Sequence, residues 1–194
     1  QGSSLAFHLA RRGADVILLE KESVASGATG RSSGFVRMHY DVEVETRLAH
    51  LSHPYFLDWA GHVGEGDCGF VRTGFLQLIW QELEAALRAN VEMHRGIGID
   101  ARVIEPAEIA ALCPGMVVDD IGFAAYEPES GYADPTGTAA GFLAAARRLL
   151  PAAPQPLVAR GRVGKLALSA MPCRRPDVAQ IHPWPQVAFR RQTS

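Results

Sequence analysis

The sequence predicts an α/β fold, because helices with one apolar face alternate with short apolar strands. Residues 3–12 have helical periodicity and are followed by Gly13, a residue type that commonly ends helices. Residues 14–20 then form an apolar run that ends in an acid, which is typical of a buried parallel strand. The other predicted elements are a strand over 74–80 and helices over 43–59, 82–94, 106–112 and 135–150.

Composition restricts the class of protein. Of the 194 residues 47% are hydrophobic, which is enough for one sizeable core. The net charge of -2 gives no bulk attraction to nucleic acid or to an anionic membrane, and no apolar run is long enough to span a bilayer. The three cysteines are far apart and show neither zinc spacing nor a disulfide framework. We therefore predict a cytoplasmic protein without a metal site.

The last 44 residues differ in composition from the rest. Residues 1–150 carry 12 basic and 20 acidic side chains, whereas residues 151–194 carry 7 basic and 1 acidic. Seven of the 12 prolines also lie in this last segment. Since proline removes backbone donors and is excluded from central strands, we predict a poorly ordered tail over 151–194. Residues 160–168 are the only part of it expected to form a strand.

Gly2 and Glu20 have the spacing of a dinucleotide-binding unit. Gly2 would be the third glycine of a G-x-G-x-x-G loop whose first two glycines are expected before Gln1. Glu20 closes the second strand 18 positions later, where an acid can accept a hydrogen bond from a ribose hydroxyl. The alternative is an ordinary αβ unit whose strand happens to end in glutamate.

A Gly/Ser-rich segment after Glu20 points to a flavin rather than to NAD. The run Ser26-Gly27-Ala28-Thr29-Gly30-Arg31-Ser32-Ser33-Gly34, taken with Gly2 and Glu20, resembles the D-amino-acid oxidase/sarcosine oxidase superfamily. The resemblance is closest to the sarcosine oxidase beta-subunit-like and dimethylglycine dehydrogenase-like branches. It implies an incomplete Rossmann-like FAD-binding domain with part of a mixed-sheet substrate domain. The FAD contacts that it implies are Gly2, Ser3, Glu20, Lys21, Ser26, Gly27, Thr29, Gly30, Arg31, Ser32, Ser33 and Gly34. The alternatives are a flexible surface loop and an NAD-dependent Rossmann enzyme.

The resemblance also implies a division into domains. It continues to about residue 148, through segments 70–76 and 131–135. It places part of the FAD-binding domain at 1–60, part of the substrate domain at 61–133, a helix returning to the FAD domain at 134–150, and an atypical tail at 151–194.

Arg37 and His39 follow the Gly/Ser-rich segment and are the candidate catalytic residues. In the resembling amine oxidases an arginine near this place pairs with the substrate carboxylate, and a guanidinium suits a planar carboxylate. The alternative for Arg37 is a surface position or an ion pair with Asp41 or Glu43. His50 and His53 form an H-x-x-H pattern without a third ligand, which favours a solvated helix face over a metal site.

The function implied by the resemblance is oxidation of an amine or N-methyl amino acid by hydride transfer from a substrate C–H to FAD. The resemblance implies that the chain is the N-terminal part of such an oxidoreductase. The enzyme's partners would be a small amine or amino-acid substrate and an electron acceptor, either oxygen or a carrier. Two alternatives remain open: a truncated or frame-shifted non-catalytic fragment, and an NAD-dependent Rossmann oxidoreductase.

Overall fold

The computed structural model describes residues 1–20, 22–150 and the backbone of 158–160. Helices and sheets are mixed in it, so the predicted α/β class is confirmed. The helices are α1 Gly2–Ala10, α2 Glu43–Leu57, α3 Trp59–His62, α4 Glu84–Ile97, α5 Pro106–Leu112 and α6 Pro135–Leu149. The strands are β1 Leu18–Glu20, β2 Phe35–Val36, β3 Phe75–Ile79, β4 Arg102–Ile104, β5 Phe123–Glu127, β6 Gly131–Tyr132 and β7 Val158–Arg160. No helix among the described residues is long and apolar enough to cross a membrane.

The N-terminal unit has the predicted helix and strand. Gly2 begins α1, and Glu20 ends β1, which pairs in parallel with β7, so both predictions are confirmed. The buried face of α1 consists of Ala6, Phe7 and Ala10, whereas the large side chain of Leu5 is 61% exposed. Small residues on this face let α1 pack closely against α6, and the two helices share a core with Trp59 and Leu143.

A three-stranded antiparallel sheet in the order β3-β5-β4 follows. One face of this sheet packs against α4 through Leu87 and Val91, together with Ile99, Ala101 and Ala125. Strand β3 was predicted, but β4 and β5 were not. The extended segment expected over 70–76 becomes regular strand only from Phe75 onward, and Val71 makes a single bridge to Tyr132.

Several predicted boundaries were wrong. The strand expected over 14–20 covers only Leu18–Glu20, and the helix expected over 82–94 runs over Glu84–Ile97. The helix expected over 43–59 ends at Leu57, because Asp58 leaves the helical conformation at φ -134°. Its carboxylate accepts a hydrogen bond from the N–H of Gly61 at 2.9 Å and so begins α3. The strand expected from Arg160 begins instead at Val158.

The rest of the tail, 151–157 and 161–194, lies outside the described residues. Poor order there stays a prediction, and so does the division of the chain into domains.

Candidate functional site

A cleft of about 290 Å³ lies where the first turn of α1 meets the Gly/Ser-rich segment and the start of α6. The residues that line it are Gln1, Ser3, Ser4, Thr29, Ser32, Gly34, Phe35, Val36, Phe56, Ala133, Pro135, Thr138, Ala139 and Phe142. Gln1 makes no side-chain cap on α1, so the first N–H groups of this helix have no side-chain acceptor. A helix end of this kind binds phosphate, because its N–H groups and its dipole both favour negative charge.

Two glycines make this cleft possible. A Cβ on Gly2 would approach the Leu18 side chain to 3.0 Å, so Gly2 permits the close contact of helix α1 with strand β1. This is the role that the third glycine of a dinucleotide loop has. Gly34 has φ +76°, and a Cβ there would overlap the carbonyl oxygen of Ala133. Gly34 thus lets its backbone pack directly against Ala133 at the edge of the cleft.

The Gly/Ser-rich segment is folded rather than flexible. A 3-10 turn covers Thr29–Arg31, and the N–H of Gly30 donates to the carbonyl of Ala25 at 2.8 Å. The hydroxyl of Ser32 accepts from the N–H of Gly34 at 3.1 Å, and the N–H of Ala133 donates to the carbonyl of Gly34 at 2.9 Å. These bonds fix the segment to the chain before α6, which argues against the surface-loop alternative.

The other predicted FAD contacts are not brought into this cleft. Glu20 is half-buried at the end of β1, and its Oε1 accepts from the N–H of Glu22 at 2.9 Å. The predicted contacts in the segment that are exposed and do not line the cleft are Ser26, Gly27, Gly30, Arg31 and Ser33. Lys21 lies outside the described residues.

Arg37 faces a second cleft, of about 530 Å³, together with His39, Gln77 and Asn90. Its guanidinium lies 4.9 Å from the ring centre of Tyr40 and 5.2 Å from that of Phe75. The ion pair considered for it is not formed, because Glu43 pairs with Arg47 and Asp41 accepts from Asn90. Among the described carboxylates none pairs with Arg37, so its charge is available to an anion in this cleft.

His39, which lines this cleft, also belongs to a buried cluster with His94 and Glu127. The sequence did not indicate this cluster. The Nδ1 of His39 lies 3.6 Å from Oε1 of Glu127, and the Nδ1 of His94 lies at the same distance from that oxygen. Glu127 also accepts, through Oε2, from the N–H of Met38 at 3.1 Å and from the hydroxyl of Ser130 at 2.9 Å. Glu127 therefore fixes the backbone next to Arg37.

The electrostatics of this group follow from its burial. Burial of the His94 ring lowers the pKa of His94, although its hydrogen bond to the carbonyl of Tyr40 opposes the shift. Burial alone would raise the pKa of Glu127, but His39, the N–H of Met38 and the Ser130 hydroxyl outweigh it. The pKa of Glu127 consequently lies below its usual value. The site thus holds a buried carboxylate with a lowered pKa beside two buried imidazole rings.

The H-x-x-H pattern does not lie on a solvated face, so that prediction was wrong. His53 is 5% exposed, and its Nε2 bonds to the carbonyl oxygen of Glu129 at 2.9 Å. The Nδ1 of His50 is also buried. Tertiary packing of α2 covers these two rings, which the pattern alone cannot show.

Comparison with known proteins gives a consistent result. Residues 1–149 match the model of the family described as FAD dependent oxidoreductase. Mouse mitochondrial sarcosine dehydrogenase is 34% identical over 71% of this chain. The mouse mitochondrial pyruvate dehydrogenase phosphatase regulatory subunit is 29% identical over 75% of it. The matched regions cover 15% and 17% of these relatives.

A solved structure agrees with these relatives. L-proline dehydrogenase from P. horikoshii superimposes with a TM-score of 0.70 at 26% identity, and the match covers 76% of this chain and 39% of that one. The chain therefore spans less than half the length of the proteins that it matches.

Proposed function

Because this chain belongs to the FAD-dependent oxidoreductase family, we propose that it takes part in oxidising a secondary or tertiary amine that carries a carboxylate, such as an N-methyl amino acid. Two of the similar proteins act, by name, on sarcosine and L-proline, both of which are secondary amino acids. The family is FAD-dependent, so the NAD alternative is set aside.

The observation that carries this proposal is the unpaired charge of Arg37. Its guanidinium lies between two aromatic rings and faces a cleft three residues beyond the glycine that lines the dinucleotide cleft. A guanidinium binds a carboxylate through two parallel hydrogen bonds, which orients the substrate as well as attracting it. The two aromatic rings lie beside the guanidinium and offer cation–π contacts to it.

The remaining residues hold the cofactor and the substrate rather than perform the chemistry. The first turn of α1 would receive the pyrophosphate, Glu20 the ribose, and the backbone of the Gly34 segment the flavin. FAD, when bound, supplies the acceptor for the hydride that leaves the substrate carbon. Arg37 would fix the carboxylate end of the substrate, and His39, held by Glu127 and Asn90, would form part of the cleft wall.

The test is Arg37→Lys in the flavin-loaded protein, assayed with sarcosine and with dimethylamine, which lacks the carboxylate. Lysine keeps the charge but loses the two-point contact, so we expect KM for sarcosine to rise about tenfold or more, with little change for dimethylamine. Arg47→Lys is the matched control, because Arg47 is exposed and, among the described residues, forms an ion pair with Glu43 alone. Equal effects of Arg37→Lys on both substrates would make Arg37 a structural residue.

A second candidate is a non-catalytic role, and the similarity to a regulatory subunit favours it. A protein that binds FAD but reduces it with none of a panel of N-methyl and cyclic amino acids would support this role. Where the flavin is reduced, release of hydrogen peroxide distinguishes oxygen from a carrier as electron acceptor.

The location of the protein is a separate proposal. We propose the cytoplasm, whereas both mouse relatives carry "mitochondrial" in their names. Cell fractionation tests it.

A further inference from the structure

Three buried side chains from distant parts of the chain converge on one point. We call His39, His94 and Glu127 the His–His–Glu cluster; their exposed fractions are 3%, 0% and 0%. One nitrogen of each imidazole and one carboxylate oxygen all lie within 4.8 Å of one another. Among the described residues, these three atoms, the two Nδ1 atoms and Oε1, have no hydrogen-bond partner. The 3.6 Å between each Nδ1 and Oε1 is too long for a hydrogen bond.

The tautomer of His94 leaves no proton between its Nδ1 and Oε1 of Glu127. The Nε2 of His94 lies 2.9 Å from the carbonyl oxygen of Tyr40 and must donate to it, so the Nδ1 of neutral His94 is a bare lone pair. That lone pair faces the Oε1 lone pairs of Glu127. Among the described residues, no lysine or arginine pairs with Glu127. A buried carboxylate without a cationic partner is costly, because burial removes the water that would solvate its charge.

The surroundings resemble those of metal ligands. A histidine that binds a metal through one nitrogen donates its other N–H to a carbonyl or carboxylate, as His94 does to Tyr40. A ligating carboxylate is itself hydrogen-bonded, as Oε2 of Glu127 is by Met38 and Ser130. His39 also lines the cleft of Arg37, so the cluster lies directly beside an open cleft.

We propose that the His–His–Glu cluster binds a divalent transition-metal ion of the zinc type, through Nδ1 of His39, Nδ1 of His94 and Oε1 of Glu127. Two imidazoles and one carboxylate form a known donor set for Zn²⁺, with one position left for water. Bonds of about 2.0–2.1 Å in a tetrahedral site place neighbouring ligand atoms roughly 3.4 Å apart. The observed 3.6 Å to Glu127 is within a few tenths of an ångström of this separation. The ion would tie α4 and β5 to the segment that carries Arg37.

Asn90 gives this proposal a specific consequence. Its amide nitrogen lies 3.3 Å from Nε2 of His39 and 3.1 Å from Oδ1 of Asp41. When Nδ1 of His39 binds a metal, Nε2 must carry the proton, so the amide must turn its oxygen toward it. An aspartate at position 90 would accept this proton without turning, but it would also lie against Oδ1 of Asp41, so it is made together with Asp41→Asn. In this Asp41→Asn background, Asn90→Asp should strengthen metal binding about 10-fold, within the 10–100-fold range of such partners.

The experiment measures Zn²⁺ bound to the full chain by equilibrium dialysis and elemental analysis, and Co²⁺ by its visible absorption. We expect one ion per chain, lost on adding EDTA, and a weakening of at least about 100-fold in His94→Gln and in Glu127→Gln. Circular dichroism identifies a variant that fails to fold. Asn90→Asp in the Asp41→Asn background, which removes no ligand, then carries the test through its gain in affinity over Asp41→Asn alone.

The matched control is His50→Gln, because His50 also has a buried, unpartnered Nδ1 but lies outside the cluster. It should keep full binding. The proposal is overturned if the wild-type chain binds no stoichiometric Zn²⁺, if Asn90→Asp with Asp41→Asn binds no more tightly than Asp41→Asn alone, or if His50→Gln weakens binding as much as His94→Gln. Absence of metal together with a doubly protonated His94, seen by NMR, would show that a proton occupies the point instead. None of these outcomes depends on FAD or on turnover, so they leave the proposed function to its own test.

Discussion

Replacing Gly34 by alanine tests whether the Gly/Ser-rich segment depends on the close backbone contact between Gly34 and Ala133. Gly34 has φ +76°, which costs an L-residue about 1–2 kcal/mol. A Cβ there would also overlap the carbonyl oxygen of Ala133 and displace it. The displacement would disturb the 2.9 Å bond from the N–H of Ala133 to the carbonyl of Gly34, worth about 0.5–1.5 kcal/mol. We expect Gly34→Ala to lower the free energy of unfolding by about 1.5–3.5 kcal/mol, the range that follows from adding these costs.

Gly13 supplies the control for this measurement. It has the same φ of +76°, but a Cβ there would meet no atom within 4 Å. Gly13→Ala therefore carries only the backbone cost, partly offset by the lower entropy of the unfolded chain, and should lose about 1 kcal/mol or less. Urea denaturation of both variants, followed by circular dichroism, gives the difference. If the two variants lose equal stability, the close approach of Gly34 to Ala133 does not shape the cleft.

Two further predictions concern the cofactor site and the helix that borders it. Glu20→Ala should weaken FAD binding by about 1.5–3 kcal/mol with little loss of stability, since one hydrogen bond to a charged group is removed. Flavin retained on ultrafiltration measures this, with the remote exposed Glu43→Ala as control; equal retention by both variants counts against the ribose role. Asp134→Ala should cost about 1 kcal/mol, because Oδ1 of Asp134 accepts from the N–H of Thr136 at 2.8 Å at the start of α6. An unchanged urea midpoint would refute this cap.

Local patterns in the sequence were sufficient for the elements that position the dinucleotide cleft. The start of α1 at Gly2, the end of β1 at Glu20 and the start of α6 after Asp134 each depend on short-range features, namely a glycine, a strand-end acid and an Asp-Pro cap. The break at Asp58 was also local. Asp58 is an N-cap residue near the end of the helix predicted over 43–59. The helical periodicity around it concealed this capping signal.

The His–His–Glu cluster could not have been predicted in this way. Its members are separated by 55 and 33 positions, and only the packing of α4 on β5 brings them together. Strand β5 was missed for a related reason. Its sequence Phe-Ala-Ala-Tyr-Glu has weak strand propensity, and its last residue is a buried charge. That charge is tolerated because donors from Met38 and Ser130 reach it, which the local sequence does not reveal.

We expect α1, the end of β1 and the Gly/Ser-rich segment to form one surface that binds FAD. Titration of the ¹⁵N-labelled chain with FAD, followed by amide NMR shifts, tests this directly, because it detects binding even at millimolar affinity. We expect the largest shifts at Ser3, Glu20, Gly30 and Gly34, and none at Gly115, which lies after α5. Shifts centred on the β3-β5-β4 sheet, or no shifts at millimolar FAD, would contradict the account.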